Sequence, residues 1–207
     1  MERSVVFAGF GGQGLLFAGQ VLAQAAMDEG REVLWIPSYG PEMRGGTASC
    51  TVIISEEQVG SPVVDRPDVA VVLNPPSHAK FARTVAPNGV IVTNSTLVDA
   101  RAGRDDVSEI ALPLSELAAA AGDPRLVSVV ALGVVAARTG LVLPISVHRA
   151  LTEIVGRKRP AILEADLAAF DAGLRAAGGA AIAEIIRAEV RGTAATERQP
   201  EPIAGEA

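Results

Sequence analysis

Near the start of the chain, Gly9-Phe-Gly-Gly-Gln-Gly14 combines residue types and spacing that suit anion binding. Gly9, Gly11 and Gly14 fit G-x-G-x-x-G. An apolar run, Ser4-Val-Val-Phe-Ala8, precedes them and a small-residue helical pattern follows. Backbone amides at such a helix start can cradle a phosphate. Gly12 and Gln13 strengthen that reading, since the Gln13 amide stands where it can bond a ligand or an opposing loop. A dinucleotide site also wants an acid at the end of the second strand, for the ribose. Here that strand ends Trp35-Ile-Pro-Ser38, and the first acid beyond it is Glu42, which argues against NAD. The first arginine beyond it is Arg44, which argues against NADP. The structural alternative is that the glycines only permit a tight turn and close helix packing.

A second cluster follows, Pro37-Ser-Tyr-Gly-Pro-Glu-Met-Arg-Gly-Gly46. It sets the lone tyrosine, a carboxylate and an arginine on a glycine frame. A surface pair of Glu42 and Arg44 would be worth at most about 1 kcal/mol. Glycine loops with such side chains are more often contact surfaces than packing devices. Ser38, Tyr39, Glu42, Met43, Arg44, Gly45 and Gly46 are therefore expected at a subunit interface. Trp35 and Cys50 read as core. His78 and His148 lie far apart without ligand-like partners, so no metal is expected.

These clusters need a frame. If 4–8 and 33–36 are neighbouring parallel strands, both loops leave the sheet at its carboxyl edge, where open α/β sheets bind ligands. Leu15, Ala18, Leu22, Ala25 and Ala26 recur at helical spacing, with Gly30 as C-cap. Further strands are predicted over 47–55, 69–73, 90–93 and 109–112, with a return strand from Val59. Strand 69–73 runs into Asn74-Pro-Pro-Ser77, and 90–93 into Asn94-Ser95. Helices are predicted over 79–85, from Pro113, over 127–138, from a Ser146 cap to Val155, over 164–177 and over 180–190. The 127–138 helix is too apolar to face solvent in an ordinary monomer and reads as a partner face. The expected fold is α/β: a single three-layer α/β/α Rossmann-like domain over 1–191, with a mainly parallel sheet and a helix-rich C-terminal half. A polar tail over 192–207 is expected to be disordered.

Composition narrows the classes. The chain has 207 residues, is 49% apolar and 20% charged, and has a formal charge of −6. That is a globular chain, and the acidic balance without a basic stripe argues against nucleic-acid binding. One cysteine allows neither an internal disulfide nor a four-cysteine iron–sulfur cluster. No leader and no apolar stretch of about 20 residues is visible. The expected address is the cytoplasm, with no membrane contact.

Taken together, Gly9–Gly14, Pro37–Thr47, Asn74-Pro-Pro-Ser77, Asn94-Ser95 and Leu163–Phe170 resemble the gamma subunits of 2-oxoacid:ferredoxin oxidoreductases. The likeness covers roughly residues 4–175 and is strongest to the 2-oxoglutarate, KorC-like type; Ser128 departs from it, where the family pattern has asparagine. The resemblance implies a multi-subunit enzyme that decarboxylates a 2-oxoacid on thiamine diphosphate and magnesium. Electrons would pass through iron–sulfur clusters to ferredoxin, and the acyl group to coenzyme A. Those cofactors would sit on alpha and beta subunits and a ferredoxin-like delta subunit, with no catalytic residue and no complete active site on this chain. For this chain it implies assembly and a coenzyme A contact at Gly9, Gly11, Gly12, Gln13, Gly14, Asn74 and Asn94. The competing class is a free-standing nucleotide-binding protein or small reductase using the same turn.

Overall fold

The computed structural model describes residues 1–38, 48–156 and 160–186, and only the backbone at 160 and 161. The expected tail and most of the 38–46 cluster lie outside these residues. Strands are β1 (Arg3–Gly9), β2 (Glu32–Ser38), β3 (Ala48–Ser55), β4 (Val69–Val72), β5 (Val90–Asn94) and β6 (Ser108–Leu112). Helices are α1 (Leu15–Asp28), α2 (Pro75–Phe81), α3 (Leu114–Ala120), α4 (Val127–Thr139), α5 (Pro144–Leu151), α6 (Pro160–Ala176) and α7 (180–186).

The six strands form one sheet in the order β2-β3-β1-β4-β5-β6. β1, β4, β5 and β6 are parallel neighbours. β3 is antiparallel to both β1 and β2, with Phe7 opposite Cys50 and Trp35 opposite Val52. β1 and β2 are therefore not neighbours as expected, because β2 turns back through β3 as a hairpin and β3 takes the place between them. Two antiparallel steps restore direction, so β1 and β2 still end at the same edge. Gly9 pairs with Ala48 there, and Ser38 with Ser49.

Period-two alternation sorts the sheet's side chains. Phe7, Val52, Val71 and Val92 join the large core beneath α1, α4, α5 and α6. Val6, Ala70, Val72 and Ile91 form a smaller core with Ala82 and Val85 at the end of α2. On that thinner face, Glu109 accepts from Thr93 Oγ1 at 2.8 Å and from the Ala102 N–H at 2.8 Å, and meets His78 Nε2 at 3.2 Å. Burial pushes the Glu109 carboxyl up, but these partners outweigh it and hold the group below its usual range. His78 thus ties α2 to β6.

Local chemistry explains most boundaries. α1 ends in a Schellman arrangement: Gly30 has φ 78°, its N–H reaches Met27 O at 2.9 Å, and Arg31 N–H reaches Ala26 O at 3.1 Å. α2 starts at Pro75, earlier than predicted, because Asn74 Oδ1 caps Ser77 N–H at 2.8 Å. No strand begins at Val59. α5 starts at Pro144, leaving Ser146 buried inside its first turn and not at the cap. Trp35 is 38% exposed because β2 is the sheet's edge. Cys50 is fully buried, and burial pushes its thiol up to about 11 against a hydrogen bond with Trp35.

α4 corrects a second expectation. Val127 to Ala136 are all buried, and α6 of the same chain covers them, so this helix is interior and offers no partner face. The crossing is glycine-dependent on both sides. A Cβ on Gly133 would lie 2.2 Å from Phe170 O, and one on Gly173 would lie 1.8 Å from Val130 O. Gly173→Ala should force the helices apart and cost at least about 2 kcal/mol. In a chain of this size that lowers Tm by roughly 4–8 °C, readable by calorimetry.

Asp166 of α6 is 2% exposed. Burial, then the negative charge of Asp123, pushes its carboxyl up to about 6. The unfolded value is about 3.9. The folded chain therefore holds the extra proton between those values, and stability falls as pH rises through that window, by on the order of 2–3 kcal/mol when complete. Asp166→Asn should stabilise the chain near pH 8 and do so distinctly less near pH 5. Urea midpoints at the two pH values check this.

Candidate functional site

The site is built from the end of β1 and the start of α1. Phe10 is clamped from both sides by Gln13: its N–H donates to Gln13 Oε1 at 2.6 Å, and its carbonyl accepts from Gln13 N–H at 3.3 Å. Gly9 must be glycine for this closure, since a Cβ there would lie 2.3 Å from Gln13 Oε1 and 3.1 Å from Leu73 Cβ. Gln13 Oε1 is thus committed within the turn. Gly12 and Gly14 have φ 90° and 75°, the left-handed region that favours glycine.

Gly14 occupies the N-cap position of α1 without a side-chain cap, and no acid stands in the first turn. The orphan amides and the helix's positive end are therefore not neutralised locally. Side chains added at Gly11 or Gly12 would meet nothing within 4 Å. Beside them opens a groove of about 300 Å³ lined by Phe10, Gly11, Gly12, Leu16, Phe17 and Ser49 among others. Phe10 is 39% exposed.

Around the turn lie buried polar groups of two kinds. Asn94 is spent inside the chain: its Nδ2 donates to Ser115 Oγ at 2.9 Å and Leu73 O at 3.4 Å, and its Oδ1 accepts from Ser115 N–H at 3.2 Å. It brackets β5, the end of β4 and α3. Asn74 Nδ2, Ser77 Oγ and Ser128 Oγ are buried with no hydrogen-bond partner among the described residues. Ser128, on the first turn of α4, faces the turn directly: its Oγ is 2.7 Å from where a Gly14 Cβ would stand.

Of the expected interface residues, Ser38 is exposed at the rim opposite Ser49. Tyr39, Glu42, Met43, Arg44, Gly45 and Gly46 lie outside the described residues. Sequence reasoning missed Phe10 and Phe17, which line the groove, and marked Ser128 only as a departure from the family pattern. Phe10 carried a readable signal, as the one large apolar side chain inside a glycine turn. The contact of Ser128 with the turn could not be read, because only the fold brings α4 to α1.

Among the described residues, no three His, Cys, Asp or Glu side chains group as a metal site, and no helix is long and apolar enough to cross a membrane. The arrangement can hold an anion at backbone amides beside an apolar groove.

Comparison with known proteins agrees with the glycine-turn frame. Residues 4–176 match the family described as pyruvate ferredoxin/flavodoxin oxidoreductase. The ketoisovalerate oxidoreductase subunit VorA of Methanothermobacter thermautotrophicus is 51% identical over 136 residues, which cover 66% of this chain and 28% of that one. The 2-oxoglutarate synthase subunit KorC of Methanocaldococcus jannaschii is 31% identical over 180 residues, covering 86% of this chain and 95% of that one. KorC-like similarity is therefore present along most of the chain, while identity to VorA is higher over a shorter span. The gamma subunit of a keto/oxoacid ferredoxin oxidoreductase from Geobacter sulfurreducens superposes with a TM-score of 0.74 at 29% identity, covering 84% of this chain and 98% of that one. The 2-oxoglutarate:ferredoxin oxidoreductase of Magnetococcus marinus, solved with 2-oxoglutarate, coenzyme A and succinyl-CoA bound, shares the fold at a TM-score of 0.73 and 24% identity; the match covers 86% of this chain and 31% of that one. The chain thus spans under a third of the two longer proteins and nearly all of the two shorter ones. With more than half its length matched, the chain belongs to the pyruvate ferredoxin/flavodoxin oxidoreductase family, on its gamma-subunit side.

Proposed function

We propose that this chain is the gamma subunit of a cytoplasmic, multi-subunit 2-oxoacid:ferredoxin oxidoreductase that converts a 2-oxoacid to its acyl-CoA. The observation that carries the reading is end-to-end likeness to separate gamma-type chains, 95% of the archaeal KorC and 98% of the Geobacter gamma subunit. The oxoacid we favour is 2-oxoglutarate. A branched-chain 2-oxoacid is the second reading, supported by the higher identity to the ketoisovalerate subunit.

The chain's own residues do not fit an iron–sulfur cluster, since Cys50 is the only cysteine and lies wholly inside the core. Thiamine diphosphate, magnesium and the clusters are assigned to alpha, beta and ferredoxin-like delta partners. This chain's part is to join that assembly through the 38–46 cluster and to hold the coenzyme A pyrophosphate at Gly11–Gly14. Support for the second role is the uncapped, unneutralised start of α1. Gln13 closes the turn, Asn94 sets the neighbouring strand ends, and Asn74 offers an unpartnered buried amide.

The chain purified under native conditions from its own cells should travel with larger polypeptides, carry brown iron–sulfur absorbance and thiamine diphosphate, and reduce ferredoxin only with a 2-oxoacid and coenzyme A. A colourless monomer holding a nicotinamide or flavin would contradict the reading. In that assembly Gly11→Ala is the clean probe of the turn, because the added methyl enters the groove without meeting protein. It should raise the KM for coenzyme A severalfold and leave the 2-oxoacid KM and cofactor content unchanged.

A further inference from the structure

The sheet has β2 and β6 as its outer strands, and only β6 is guarded. β6 is five residues long and carries Glu109 at its second position, a charge that discourages a further strand. β2 is seven residues long, with Glu32 and Pro37 near its ends and an apolar centre, Val33-Leu34-Trp35-Ile36. Among the described residues nothing pairs with β2 on its outer side. An apolar edge with unpaired backbone is a template for another strand. Trp35 stands on that edge. A Cβ added at Gly19 of α1 would lie 2.9 Å from its Nε1, so the indole is seated against the helix, yet Trp35 remains 38% exposed.

The ladder fixes which backbone groups of β2 are free. Leu73 N–H donates to Ala8 O at 2.9 Å, so the polar groups of Ala8 point toward β4. Successive residues alternate in direction, so those of Phe7 point to β3 and meet Cys50. Cys50 therefore turns away from β2, and Pro37, its partner there, points outward together with Trp35 and Val33. Pro37 agrees, because a proline is tolerated where no ladder bond is lost. The free edge thus presents N–H and C=O at Val33 and Trp35, and C=O alone at Pro37. An added strand that sets its own donors and acceptors against Val33 and Trp35 leaves neither residue unpaired. β2 of a second copy does this when the strands run antiparallel with Leu34 on the two-fold axis. Val33 then meets Trp35 of the second copy on each side of the axis, and each pair exchanges both hydrogen bonds. Centring on Trp35 instead would set Val33 against Pro37 and leave the Val33 carbonyl without a donor. In the Leu34 register an aromatic ring also lies beside a β-branched side chain, a favourable cross-strand pair, and Glu32 falls opposite Ile36, so no like charges meet. Room exists on both faces. α1 packs mainly on β3, so the two α1 helices would lie three strand spacings apart, about 14 Å, beyond the roughly 8–10 Å of touching helices. On the other face α2 packs on β4 and β1, away from β2.

We infer that the free edge of β2 is an interface with a second copy of this chain, formed by antiparallel pairing of the two β2 strands about a two-fold axis at Leu34, so that one sheet runs through both copies. Trp35 fills the gap between the two α1 helices. The interface is independent of the coenzyme A reading and leaves the groove beside the glycine turn open.

Analytical ultracentrifugation of the full-length chain tests the pairing, and cysteine cross-linking tests its register. The wild-type chain should sediment as a reversible dimer. Leu34→Lys and Leu34→Glu each place like charges on the axis and should weaken self-association by at least about tenfold. An equal mixture of the two variants should dimerise again, because lysine then faces glutamate; that rescue also shows that both variants fold. Under mild oxidation Leu34→Cys should link two copies, since a non-hydrogen-bonded pair sets its Cα atoms about 4.5 Å apart, within the roughly 4.4–6.8 Å that a disulfide spans. Trp35→Cys should not link, because its neighbour across the interface is Val33. The buried Cys50 of the wild-type chain should stay free. A wild-type chain that remains monomeric at its highest soluble concentration would overturn the inference. So would a dimer indifferent to both charge variants, or one whose mixed variants fail to pair. Linkage through Trp35→Cys and not Leu34→Cys would overturn the register and with it the proposed interface. In the native assembly, a Leu34→Cys link to a different subunit and none between copies would also overturn it, giving the edge to that subunit.

Discussion

The structure depends most on one contact, the Gln13 amide oxygen folded back onto Gly9 and hydrogen-bonded to Phe10 N–H at 2.6 Å. That bond closes the passage from the central strand β1 into α1 within five residues. It satisfies the Phe10 backbone donor from inside the turn, while the orphan amides of α1, which has no side-chain cap, stay available. It also presses Gly9 against Leu73, aligning the ends of β1 and β4. Asn94 extends the alignment by reaching Leu73 O from β5. The carboxyl edge of the sheet is thus held by side-chain amides, while its outer surface remains open.

Behind that edge, the helix-rich half serves as a rigid backing. α4 and α6 cross so closely that each presents a glycine to the other's backbone, Gly133 to Phe170 and Gly173 to Val130. Such contact fixes where α4 begins, and hence where Ser128 meets Gly14. Packing in the core and polarity at the rim are therefore coupled through one helix. Asp166 is a cost within this backing: a carboxyl buried near Asp123, with no opposite charge among the described residues to offset its desolvation.

The turn itself was legible in the sequence because glycine spacing, the apolar run before it and the helical pattern after it all point to the same geometry. Strands were legible for the same reason. The position of β3 between β2 and β1 was not, because alternation records which face a side chain takes and not which neighbour its strand pairs with. Trp35 was misread as core for the same reason, since edge or centre is a property of strand order. The apolar α4 was read as a partner face because composition shows that a helix is buried without showing under what. The glycines at 133 and 173 carried the missing information, though only as a pair. That Asn94 bonds Ser115 was not legible, because the partner is distant in sequence and only the fold brings it to the end of β5.

The most direct test of the central claim is amide NMR of the full-length chain titrated with coenzyme A. An open cradle at the start of α1 predicts the largest shifts at Gly11, Gly12 and the first turn of α1, with Ser49 following and Gly133 and Gly173 still. Shifts confined to α2 and β6, or none at ligand concentrations that saturate the assembled enzyme, would contradict the claim that this turn receives the ligand.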